Sequence, residues 1–175
     1  MTQHILIAGI GNIFLGDDGF GSEVAQRLAH QQYPEGVRVV DVGIRGVDLA
    51  YMLLDEYDAL ILVDTVSRGS PPGTLYLIAP ELPDGNVEAG GEAGRRAVET
   101  HSMDPVTVLA FAGALGAQPI HTLIVGCEPG PLEEDDDEAM RMGLSAPVRA
   151  AVDDAVRMVD KLVQDLLLSR ELVES

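Results

Sequence analysis

The stretch Ile5-Leu6-Ile7-Ala8-Gly9-Ile10-Gly11-Asn12-Ile13-Phe14-Leu15-Gly16-Asp17-Asp18-Gly19-Phe20-Gly21 decides how the chain is read. It opens with a short apolar run rich in β-branched side chains and closed by Gly9, as suits a parallel strand buried on both faces. Beyond a glycine-punctuated turn, Phe20, Val24 and Leu28 recur at every fourth position, the stripe of an amphipathic helix. Working outward, Val37 to Val42 reads as a second strand. Val47 to Tyr57, with Leu49, Leu53 and Leu54, reads as a short helix. Ala59-Leu60-Ile61-Leu62-Val63 is the most apolar run and should be a central strand. Alternation of this kind predicts an α/β sheet with right-handed crossovers.

The rhythm then changes. Pro71-Pro72-Gly73 is a turn signal, and Thr74 to Ile78 follows it as a strand. A strand that returns by a short turn rather than a helix is expected to pair antiparallel with its neighbour. Pro80 to Gly94 has no period and reads as a loop. Pro105 opens a helix, with Ser102 or Asp104 as its cap, that continues through Val108 to Leu115. Thr122 to Val125 is the last strand. Ser145 and Pro147 open a final helix striped by Val148, Val152, Val156, Val159, Leu162 and Leu166. With no internal repeat and no linker, residues 1–175 are expected to form one domain. The expected fold is a three-layer α/β sandwich: a mixed, mostly parallel sheet of about five strands with helices on both faces.

Composition narrows the function. A chain of 175 residues, 46% hydrophobic, buries enough surface for a core without disulfides. Its single cysteine, Cys127, forms no internal bridge and no thiolate zinc cluster. No basic leader or membrane-length apolar run is apparent, so a cytoplasmic protein is expected. The 29 acidic side chains against 11 basic ones, a net charge of −18, exclude nucleic acid and anionic membranes as natural partners. Aromatic residues are only 4% of the chain, so stacking platforms for bases are not expected. The acidic run Glu133 to Glu138 reads as a solvated segment.

In open α/β sheets, ligands gather beyond the carboxyl ends of the strands. Three places there carry chemistry: the turn with Asp17 and Asp18, Asp64 after the central strand, and Thr100-His101-Ser102. Gly9 and Gly11 begin a dinucleotide fingerprint, but Phe14 occupies its last glycine position. Two carboxylates at the helix start would also oppose a pyrophosphate. Asp41 keeps that alternative open as a ribose-binding acid. Taken singly, Asp17, Asp18 and Asp64 can each be caps or Asx turns. His4 and His30 read as surface residues, His121 as an edge or solvent-exposed residue, and Cys127 as a buried small hydrophobe. A carboxylate of the Asp17-Asp18 pair, Asp64 and His101 together make an O,O,N donor set suited to a divalent first-row metal, with positions left open for a substrate group.

From Ile5 to Glu128 these residues resemble the hydrogenase maturation proteases, endopeptidases that trim the large subunit of nickel–iron hydrogenases. Gly9 to Gly21 is similar to the family's opening motif almost throughout. Leu60 to Asp64 resembles its central strand, Pro72-Gly73-Thr74 its turn, and His101 falls where its histidine does. The resemblance implies a phosphorylase/hydrolase-like sandwich and a peptidase with Asp18, Asp64 and His101 as both the catalytic and the nickel-contacting trio. It further implies cleavage near the C-terminus of the nickel-loaded large-subunit precursor; separately, a monomer is expected. The nickel would be carried by that substrate, and no permanent cofactor is expected. Water activation is left to the nickel or to an aspartate base, Asp64 or Asp17. Two departures from the family stand out: aspartate rather than glutamate at position 18, and Gly43-Ile44-Arg45-Gly46 where many members carry a threonine. A nickel-sensing chaperone that leaves the precursor uncut is the other reading of the same trio.

Overall fold

In the computed structural model, residues 2–80, 105–131 and 143–174 are described. The strands are β1 (Ile5–Ile10), β2 (Val37–Gly43), β3 (Ala59–Thr65), β4 (Leu75–Ile78) and β5 (His121–Cys127). The helices are α1 (Phe20–Ala29), α2 (Gly46–Met52), α3 (Pro105–Ala114) and α4 (Ala146–Glu174), with a 3-10 turn at Gly16–Gly19 before α1. Five strands form one sheet in the order β2-β1-β3-β5-β4. β2, β1, β3 and β5 run parallel, and β4 is antiparallel at one edge. The expected α/β architecture with helices on both faces is therefore present.

Side-chain alternation along the strands builds two cores. Ile5 and Ile7 of β1 with Ile61 and Val63 of β3 face α1 and α4, where Phe20, Val24, Leu28, Val148, Val152 and Val159 cover them. Leu6, Ala8, Leu60 and Leu62 point the other way, onto Leu49 of α2 and Val108 of α3. Every residue of β1 is buried, so its sequence carries no polar alternation. Each fully buried aliphatic side chain in these layers contributes about 1.5–3 kcal/mol.

Glycine sets the spacing between α1 and the sheet. A Cβ on Gly21 would lie 2.1 Å from the Ile10 carbonyl oxygen and 2.3 Å from that of Val63. One on Gly9 would lie 2.1 Å from the Gly21 carbonyl oxygen. The close helix–strand approach that Phe14 denies in the dinucleotide pattern is thus supplied by Gly21, from inside the helix.

Two expectations are corrected. β4 pairs antiparallel with β5, not with the preceding β3, because β5 inserts between them. Short turns imply antiparallel pairing, but they do not say which strand is the partner. α2 ends at Met52 instead of continuing to Tyr57, and Leu54 is 43% exposed. There the chain turns to enter β3, whose start is fixed by the Asp58 N–H donating to the His4 carbonyl at 2.7 Å. The loop expected over Pro80 to Gly94 lies outside the described residues except for its first position.

Candidate active site

Strand order reverses between β1 and β3. From β1 the chain passes to β2 on one side, then crosses back to β3 on the other. The crevice beyond the carboxyl ends of β1 and β3 is thus a topological switch point, where such sheets bind ligands. Gly9 and Val63 are the last residues that pair between these two strands. Asp64 comes next on β3, in register with Gly126 of β5. The turn carrying Asp18 follows β1 and lies beside β3.

Asp64 continues the alternation of Leu60 and Leu62 near the end of β3 and is itself only 9% exposed. Its Oδ1 accepts the Thr65 N–H at 2.7 Å. Asp18 folds back over the end of β1, where its Oδ2 accepts the Asn12 N–H at 3.0 Å. That return requires Gly11, where a Cβ would sit 2.0 Å from the Asp18 carbonyl oxygen. Asn12 in turn accepts the Phe14 N–H on its Oδ1 at 3.0 Å, an Asx turn that fixes the connecting loop.

The neighbouring acid has a different task. Asp17 Oδ1 accepts the Ser145 N–H at 2.7 Å, and its Oδ2 accepts the Ser145 hydroxyl at 2.9 Å and the Gly130 N–H at 2.8 Å. One carboxylate thus ties the turn before α1 to the end of the β5 connection and to the start of α4. The N-cap of α1 is Gly19, without a side-chain cap. Asp17 bonds at the start of a different helix from the one its sequence position suggests.

Asp41 is also consumed internally. It accepts from Ser22 Oγ, from Gln26 Nε2 at 3.1 Å and from the Gly43 N–H at 3.1 Å. These bonds explain its position on β2 without a ribose. Glu128, which no sequence pattern marked, is 5% exposed. It accepts the Arg68 and Gly69 N–H groups at 2.8 and 2.9 Å and the Tyr76 hydroxyl at 2.9 Å. The Arg68 amide leads in holding its carboxyl below the usual glutamate range, against the opposing effect of burial. Its partners lie in the β3–β4 connection and on β4, so only the folded chain reveals the role.

Cys127 is fully buried, and burial, followed by the charges of Asp17 and Glu128, pushes its thiol up to about 11. That environment suits a packing residue and not a nucleophile. His4, His30 and His121 are exposed, as expected. His101 and the acidic run Glu133 to Glu138 lie outside the described residues. Among the described residues, no three His, Cys, Asp or Glu side chains form a metal-holding group, and no helix is long and apolar enough to cross a membrane.

The sequence model of the hydrogenase maturation protease family matches residues 22–162. The chain belongs to that family. The match includes Asp64 and begins just after the glycine-rich turn that bears Asp18. The hydrogenase expression/formation protein HoxM of Azotobacter vinelandii is 33% identical over 158 residues, spanning 90% of this chain and 70% of its own. Coenzyme F420 hydrogenase subunit delta of Methanothermobacter thermautotrophicus is 31% identical, spanning 89% and 92% of the two chains. Among solved structures, the hydrogenase maturating endopeptidase HybD from E. coli superposes with a TM-score of 0.67 at 26% identity, covering 93% of each chain. A hydrogenase 2 maturation peptidase from a Thaumarchaeota archaeon gives a TM-score of 0.62 at 29% identity, covering 92% of this chain and 98% of that one. This hydrogenase maturation protease is accordingly a peptidase.

Proposed function

We propose that this protease removes a C-terminal segment from the nickel-loaded precursor of a nickel–iron hydrogenase large subunit. Asp18, Asp64 and His101 would grip the metal that the precursor brings. The observation that carries this reading is the placement of Asp64 near the carboxyl end of β3 and of Asp18 in the turn that follows β1, two adjacent parallel strands at the switch point. The place of His101 in the chain supports it. His101 precedes Pro105, the first residue of α3, by a few positions, and α3 feeds the parallel strand β5. A helix before a parallel strand begins at the carboxyl edge of the sheet, the edge that bears Asp64.

Two carboxylates and an imidazole suit nickel(II) held partly by substrate ligands. Binding energy then appears only for a loaded client, because an empty precursor leaves the acids without a cation between them. In the reaction, a water oxygen bonds to the scissile carbonyl carbon, the C–N bond breaks, and a proton passes to the departing amine. Asp17 already accepts from three donors, which favours Asp64 over Asp17 as the base. The protease is proposed to act in the cytoplasm as a monomer.

Mass spectrometry of the precursor after incubation with the protease tests the proposal. Nickel-loaded precursor is expected to be shortened and nickel-free precursor to remain whole. A loaded precursor that binds and stays intact would favour the chaperone reading instead.

A further inference from the structure

Ile13, Phe14 and Leu15 are consecutive and lie in the loop between β1 and the Asp18 turn, exposed by 42%, 48% and 57%. Such side chains ordinarily go to the core, and a contiguous exposed group of them marks an interaction surface. Ile44, 54% exposed, belongs to the neighbouring β2–α2 loop. The two loops are joined by the Gly11 N–H donating to the Gly43 carbonyl at 3.0 Å. We propose that Ile13, Phe14, Leu15 and Ile44 form the docking surface for an uncharged, apolar stretch of the precursor polypeptide beside its scissile bond. This inference rests on the peptidase reading of the Asp18 site.

Continuity with that site identifies the occupant. Asp18 accepts the Asn12 N–H, and its own N–H donates to the Leu15 carbonyl at 3.2 Å, so the catalytic turn and the apolar loop are one hydrogen-bonded unit. A polypeptide gripped at Asp18 lies against the loop's side chains. The loop is also ordered in advance. Phe14 N–H donates to Asn12 Oδ1 and Leu15 N–H to the Asn12 carbonyl at 3.1 Å, which holds the apolar side chains outward and lowers the entropy lost on binding. Charge selects the kind of segment. In a chain of net charge −18, this unit presents a run of three uncharged side chains, which favours an apolar client segment over an acidic one.

The test uses Phe14→Ser, Ile44→Ser, their double variant and Phe14→Leu with the nickel-loaded precursor encoded in the same genome. Precursor affinity, cleavage kinetics, melting temperature and sedimentation are measured for each. The expected result is a rise of about ten-fold or more in Kd and KM for the double variant. Melting temperature should hold, and Phe14→Leu should retain most of the affinity. Unchanged Kd and KM overturn the proposal. It is equally overturned if the only change is a fall in melting temperature, meaning the chain's own residues cover the patch. Loss of self-association alone, meaning a second copy covers it, also overturns it. Wild-type protein that binds the precursor without cutting it refutes the peptidase reading, and the patch is then judged on Kd. Wild-type protein that does not bind the precursor refutes both.

Discussion

Asp17 accepts both the backbone N–H and the hydroxyl of Ser145, a residue 128 positions away, while Asp18 beside it turns toward Asn12. Adjacent acids in one short turn therefore divide the work: the first holds α4 and the β5 connection in place, and the second closes the loop that follows β1.

Replacing Asp17 should cost stability. In Asp17→Asn one oxygen remains to accept, and the new amide donors face the Ser145 and Gly130 donors. A loss of about 2 kcal/mol is expected, against about 1 kcal/mol for Ser145→Ala, which removes one hydroxyl. Urea denaturation measures both, and an Asp17→Asn protein as stable as wild type would contradict the assigned clamp.

The crevice acids should behave in the opposite way. Asp18→Asn keeps an oxygen for the Asn12 amide, so the fold is expected to survive while processing of the loaded precursor stops. Asp64→Asn and His101→Ala should do the same. Circular dichroism and precursor mass spectrometry separate folding from activity, and normal processing by any one variant removes that residue from the site.

Glycine substitutions make a matched pair. Gly21→Ala drives a methyl group into the Ile10 and Val63 carbonyls and should destabilise by at least about 3 kcal/mol or prevent folding. Gly113→Ala, on an exposed position of α3 with nothing within 4 Å, should stabilise by about 0.5–1 kcal/mol. Equal effects of the two would refute the backbone contact between α1 and the sheet.

Glu128 predicts the acid limb of the stability curve. Its folded carboxyl ionises below its ordinary value, so its contribution is full above that value and is lost as pH falls through the folded one. Glu128→Gln should therefore lower the melting temperature near neutrality and narrow its gap to wild type progressively under acid. A gap that stays constant between neutral and acidic pH would show that the carboxylate charge contributes nothing.

Much of this was legible in the chain itself, for physical reasons. β1, α1 and β3 announce themselves because a strand buried on both faces admits only apolar residues, and because α1 presents one apolar stripe to the sheet. Asp18 and Asp64 could be placed on the carboxyl edge from strand direction alone. The β4–β5 pairing could not, since register with a later strand leaves no mark on a short segment. Nor could the separate tasks of Asp17 and Asp18. What sets Asp17 apart from the identical side chain beside it is its partners more than a hundred residues downstream. Glu128 was hidden for the same reason, its carboxylate meeting amides from another connection.

The contact between Gly21 and the Ile10 and Val63 carbonyls leaves no side chain to act as a bearing between helix and sheet. α1 cannot slide or tilt to suit clients of different shape. A larger side chain at that seam would unseat the helix rather than reshape the crevice.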